Sequence, residues 1–270
     1  MSRKYVSILK MILDAILAKK GDPLIRSKSL WRWCHQFASV PYVYRLNLRC
    51  LPYFKYASLI LLSVGCFWGL FVAPTDFQQG DAFRIIYIHV PAAFFSLCLY
   101  AIMGTLSIGY LIWRVKLLDM LAFSMAPVGA VFTLIALITG SLWGKPMWGT
   151  YWIWDARLTS ELILLFLYMG YIALYHSLAN HPQSGKIAAI LSAVGLLDLP
   201  IIHYSVTWWS TLHQGSTVIK LKPSIAPEML YPLMIMLLGF ACYAAWATLL
   251  RLKKTIQLRE KNTKWLSEAV

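Results

Sequence analysis

Six apolar stretches, near residues 57–73, 88–112, 121–141, 159–176, 187–206 and 229–250, dominate this chain. Each runs for about 17 to 25 residues, long enough for a helix to cross a hydrocarbon core of roughly 30 Å. Only helices and closed barrels satisfy their own backbone polar groups in lipid. These runs are continuous, whereas barrel strands alternate, so the fold class expected is all-α: a polytopic membrane protein with six transmembrane helices. Charged residues make up 13% of the chain and mean hydropathy is +0.62, far from the roughly 25% charged composition of soluble domains.

A net charge of +14 invites a nucleic-acid reading, but its distribution points to membrane topology. With six spans both termini lie on one side. Residues 1–56, 113–120, 177–186 and 251–270 on that side hold 20 of the 25 Lys and Arg residues. The positive-inside rule then makes both termini cytoplasmic and turns the loop between helices 3 and 4 outward, towards a periplasm. Three regions follow: a basic cytoplasmic segment 1–56, a six-helix membrane domain 57–250 and a basic tail 251–270. No nucleic-acid partner is expected; the bilayer is.

Within residues 1–20, Tyr5, Ile8, Leu9, Ile12 and Ile16 recur at helical spacing beside Lys4, Lys10, Lys19 and Lys20. This predicts an uncleaved interfacial amphipathic helix, because Lys10 and Asp14 interrupt what would be a signal peptide's apolar region. Pro23, Pro41 and Pro52 are expected to limit helix length up to residue 56. Cys34, Cys50, Cys66, Cys98 and Cys242 form no C-x-x-C or C-x-x-C-H pattern, so neither a disulfide framework nor a covalent c-type haem site is expected.

The outward segments carry the chemistry. WGKPMWGTYWIWDARLTSE, from Trp143 to Glu161, packs Trp143, Trp148, Trp152, Trp154 and Asp155 between two apolar runs. Such amphipathic rings at a membrane boundary suit a large planar ligand. If residues 148–155 are helical, Trp148, Trp152 and Asp155 share a face; Asp155 would fix indole N–H groups or a backbone turn. His89 precedes Pro91, which is expected to start the second span and leave His89 at its rim. The third outward segment, IIHYSVTWWSTLHQGS, adds His203, Trp208, Trp209 and His213.

Two histidines on separate loops can clamp a flat macrocycle's iron, with aromatic rings covering its apolar edge; His89 and His213 have that placement. Taken singly, each also reads as a hydrogen-bonding interfacial histidine. Structural zinc wants four ligands, usually with thiolates, and no outward cysteine is evident; copper would leave the tryptophan density unexplained. His203 is expected to pack with Tyr204, and His35, His176 and His181 to be surface residues. Lys145 or Arg157 would meet haem propionates, with Arg157 alternatively paired to Asp155. Glu161 is close enough to the outer surface to be solvated or paired with Arg157, and both it and Asp198 are expected to be helix-packing polar groups, Asp198 beside a kink at Pro200.

These strings, with RIIYIHVPAA, closely resemble the CcmC family, haem exporter protein C, of system I cytochrome c maturation, over roughly residues 30 to 265. The resemblance implies a bacterial inner-membrane protein that binds haem b non-covalently at the periplasmic face. It would present haem to a periplasmic CcmE-like chaperone, beside the ABC transporter subunits CcmA and CcmB and the small membrane protein CcmD. Axial ligands map onto His89 and His213, and the tryptophan platform onto Trp143 to Asp155. The expected role is haem binding and transfer, with no conventional enzymatic activity. A transmembrane haem exporter subunit and a haem-free structural subunit are the alternatives.

Overall fold

A computed structural model describes residues 38–178, 183–209, 211–213 and 225–267. The amphipathic helix expected at residues 1–20, together with Cys34, His35 and His181, lies outside them. Among the described residues the chain is helical, with no strand and one isolated bridge between Asp76 and Gly80. Six segments are long and apolar enough to cross a membrane: Val40–Val72, Asp81–Trp113, Lys116–Trp148, Ala156–Ser177, Ser184–Trp208 and Pro227–Arg259.

The first is helix α1 (Val40–Phe67), which runs on through a π-helical turn, Trp68–Val72. Pro41 occupies its first turn, where a missing N–H costs nothing. Pro52, expected to limit the helix, is carried inside it. A 3-10 turn, Asp81–Ile85, leads into α2 (Ile86–Trp113). Arg114, at φ 56°, ends α2, and α3 (Lys116–Trp148) follows at once. Gly149 stops α3 with φ 77°, a left-handed conformation that glycine adopts without the Cβ clash other residues suffer. After α4 (Ala156–Ser177), the fifth span breaks at Leu196–Leu197 into α5 (Ser184–Gly195) and α6 (Asp198–Trp208). Helix α7 (Pro227–Arg259) is the sixth span, and α8 (Lys264–Ser267) follows it.

Burial ranks the spans. Half of the most apolar window of α3 is buried, against 17% for the first span, so α3 is central and α1 peripheral. Helices α2, α3 and α7 enclose one core around Tyr87, Phe132, Leu233 and Met236. Helices α2 to α6 enclose a second around Tyr100, Met103, Tyr168 and Ile202. A third, of Tyr44, Met120, Leu252 and Ile256, closes the end opposite the tryptophan loop. In lipid no hydrophobic effect drives helices together, so close van der Waals packing of this kind holds the bundle.

Candidate functional site

The loop from Val72 to Asp81, the start of α2, the end of α3 and the start of α4 converge on one cavity of about 780 Å³, its open mouth included. Trp143, Trp148, Trp152, Met147 and Leu137 supply its apolar wall. Its polar groups are Gln79, His89, Ser141, Arg157, Glu161 and His213.

His89 is set in the early turns of α2, because the 3-10 turn before Ile86 starts the helical path earlier than Pro91. Pro91 lies inside α2, so the expectation that it begins the span is corrected, and His89 is partly buried in the cavity wall. Its Nδ1 lies 3.0 Å from the Ala136 carbonyl and 3.1 Å from Thr139 Oγ1. Donation from Nδ1–H to that carbonyl leaves the Nε2 lone pair as the ligating one. Thr139 is itself tied to the Ile135 carbonyl at 2.6 Å, which steadies the arrangement. Gly140 is there because a Cβ would come within 2.9 Å of the imidazole.

His213 approaches from the far loop. Its ring centroid is 6.5 Å from that of His89, at an interplanar angle of 39°, and 6.4 Å from Trp148. Trp143 meets His89 edge-on at 5.7 Å. The two histidines singled out by sequence and three of the four tryptophans therefore share one cavity. Trp154 does not line it: it is 75% exposed and touches Trp152 at 5.5 Å. His203 is also outside, exposed and packed on Tyr204 as expected.

Residues 149–155 are not helical, so Trp148, Trp152 and Asp155 do not share a helix face. The Gly149 stop ends α3, and Asp155 instead caps α4, accepting the Leu158 N–H at 2.8 Å. This is the backbone-turn role weighed for it. Arg157, two residues on, points into the cavity and donates to the Ile202 carbonyl at 2.6 Å; no ion pair with Asp155 is present among the described residues. Lys145 is exposed, donating to the Gly149 carbonyl at 3.0 Å over the Tyr151 ring.

Glu161 is a helix-packing polar group, as expected, and is not solvated. It is buried, 7% exposed, and accepts from Ser96 Oγ of α2 at 2.8 Å in place of solvent. Ser96 also accepts the Tyr168 hydroxyl at its carbonyl, 2.8 Å away. Asp198, 8% exposed, opens α6 just after the break in the fifth span. His176 is exposed, as expected of a surface residue, and meets Phe123 edge-on at 5.6 Å. Gln79, Ser96 and Thr139 escaped the sequence reading. Each acts on a residue more than 45 positions away, which leaves no local signal.

Two features bear on what would fit. The indole N–H of Trp152 is buried without a hydrogen-bond partner among the described residues at the cavity wall, and the Arg157 guanidinium shares that wall. A stranded donor beside a cation suits a ligand carboxylate. A metal ion would take an imidazole nitrogen at about 2 Å, so two facing imidazoles that shared it would stand with their centroids about 6 Å apart. The His89–His213 separation of 6.5 Å matches that span.

Residues 33–267 match the family described as heme exporter protein C. Heme exporter protein C of Escherichia coli K12 is 49% identical over 241 residues, 89% of this chain and 98% of that protein. The Haemophilus influenzae protein of the same name is 45% identical over 238 residues, 88% of this chain and 97% of its own length. A ccmC-like mitochondrial protein of Marchantia polymorpha, described as a cytochrome c biosynthesis protein, is 43% identical over 193 residues, 69% of this chain and 82% of its own. On this similarity, which covers most of its length, the chain belongs to the heme exporter protein C (CcmC) family.

Proposed function

We propose that this protein binds haem b non-covalently at the periplasmic face of the bacterial inner membrane and presents it to a CcmE-like chaperone for cytochrome c maturation. The observation that carries the reading is the meeting of His89 and His213, from separate elements, across an aromatic cavity. His89 and His213 would hold the iron. His89 Nδ1–H, held by Ala136, orients the ring and raises its basicity. Trp143, Trp148 and Trp152 cover the apolar macrocycle and keep water from it. Arg157 and the Trp152 N–H take propionate oxygens. Trp154, exposed beside Trp152, faces the acceptor.

The group itself supplies the reactive vinyl edge and the iron's redox chemistry; the protein supplies binding, orientation and exclusion of solvent. It acts as a scaffold for transfer, so no catalytic residue is assigned. The basic regions before residue 57 and after 250 lie on the cytoplasmic side. CcmA, CcmB and a CcmD-like protein are its partners in the membrane.

The test is the absorption spectrum of protein purified from haem-replete cells, with His89→Ala and His213→Ala beside it. A bis-histidine Soret band in the parent, lost or shifted in both variants, supports the reading. A well-folded parent without haem sinks it, and haem indifferent to both substitutions moves the ligands elsewhere.

A further inference from the structure

We propose that Gln79, in the loop joining the first two spans, is a positioning residue for the His89 imidazole and acts through Trp143. The inference deepens the haem-site reading above and rests on it for its functional consequence.

Asp76 shapes that loop. Its Oδ1 accepts the backbone N–H groups of Gln78 at 2.9 Å and Gln79 at 2.8 Å, and Gly80 N–H returns to the Asp76 carbonyl at 2.9 Å. This local bonding is the turn chemistry of aspartate, and it sets the Gln79 side chain at the cavity wall. There Oε1 accepts the Trp143 indole N–H at 2.9 Å. An indole has one donor and no acceptor, so this bond fixes which way the ring is turned.

The ring so fixed is the one that touches His89. Trp143 lies edge-on to the imidazole at 5.7 Å and 78°, and Phe83 braces its other contact at 6.4 Å and 87°. On its own side His89 is pinned at Nδ1 by Ala136 and Thr139. The Nδ1 contacts set the ring's tautomer and restrain its turn about the Cβ–Cγ bond, and the Trp143 edge packs against the ring so held. Gln79 therefore couples a loop outside the bundle to the plane of a ligating ring. Without Oε1 the part-buried indole donor loses its partner and Trp143 is free to turn.

Wild type, Gln79→Leu, Gln79→Glu, Trp143→Phe and the Gln79→Leu/Trp143→Phe double variant are loaded with ferric haem in detergent. Two readouts are taken: the low-spin electron paramagnetic resonance g values, which report imidazole planes, and the rate of haem loss to apomyoglobin. Gln79→Leu shifts the g values and speeds loss about 3- to 10-fold. Gln79→Glu, which keeps an acceptor, recovers most of this, and Gln79→Leu adds nothing in the Trp143→Phe background. A Gln79→Leu variant indistinguishable from wild type, or an effect undiminished by Trp143→Phe, overturns the proposal. The rate of His89 acylation by diethyl pyrocarbonate in haem-free protein, read by mass spectrometry, is an independent arm. It rises in Gln79→Leu and returns with Gln79→Glu; an unchanged rate overturns the role of Gln79. A parent that takes no haem refutes the haem-site reading, and this arm still decides whether Gln79 positions His89.

Discussion

Arg259, in the last turn of α7, places its guanidinium 2.7 Å from the Asp119 carboxylate near the start of α3. Tyr175 of α4 donates to the same carboxylate oxygen at 2.7 Å and accepts from Arg259 in turn. Arg259 also lies over the rings of Phe123 and Tyr175, at 5.8 and 5.1 Å. Three helices are thus tied at the end opposite the cavity.

Removing one partner of a buried ion pair strands the other, at a cost of about 3–5 kcal/mol. Asp119 has only 7% of its side chain exposed, so Arg259→Leu falls in that class, moderated by the 28% exposure of Arg259 itself. Thermal unfolding in detergent is expected to drop sharply for Arg259→Leu, while the Asp119→Leu/Arg259→Leu double variant recovers most of the loss. A double variant as unstable as the single would show that the pair stabilises the bundle outright.

Gly129 of α3 faces Tyr168 of α4 so closely that a Cβ would come within 2.2 Å of the phenol ring and hydroxyl. Tyr168 is fully buried and holds the Ser96 carbonyl at 2.8 Å, so it has nowhere to retreat. Gly129→Ala is expected to destabilise by about 1–3 kcal/mol, as overpacking does. Gly170→Ala, whose Cβ would meet only the Leu191 methyl at 3.3 Å, is the control and stays near wild type in the same melting assay.

The six spans were legible because a helix in lipid must be apolar over its whole crossing, and such runs survive any uncertainty about packing. Their ends were not, since Pro52 was read as limiting a helix and Pro91 as starting one. Pro52 and Pro91 are carried inside helices whose remaining bonds and neighbours outweigh one lost N–H. His89, His213 and the tryptophans could be read because aromatic and ligating residues are rare enough to stand out together. Whether Glu161 is solvated was left open by the sequence, because burial there is conferred by α2, whose Ser96 is 65 residues away. Gln79 could not be read at all, since a lone amide in a loop looks the same whether or not an indole 64 residues later finds it.

Arg157 and Lys145 were equal candidates for ligand carboxylates by sequence; their surroundings separate them. Arg157 lines the cavity, whereas Lys145 is turned to the Gly149 carbonyl and the Tyr151 ring. Losing a charge-assisted hydrogen bond costs roughly 1.5–3 kcal/mol, about 10- to 100-fold in affinity. Haem retention measured by competition with apomyoglobin is expected to fall by that factor in Arg157→Ala and by less than about twofold in Lys145→Ala. Equal losses in both would put the propionates outside the cavity.

Asp155 tests whether the aspartate of the tryptophan segment serves by charge or by geometry. Its Oδ1 caps α4 through Leu158, and the capped turn carries Arg157 and Leu158 into the cavity wall. Its Oδ2 is buried without a partner among the described residues. Asparagine caps about as well as aspartate, whereas alanine costs about 1 kcal/mol. Asp155→Asn is therefore expected to keep the melting temperature and most haem retention, while Asp155→Ala lowers both, because the first turn of α4 frays and Arg157 with it. Should Asp155→Asn lose haem as severely as Asp155→Ala while melting normally, the negative charge at Oδ2 acts on the ligand directly and the cap is incidental.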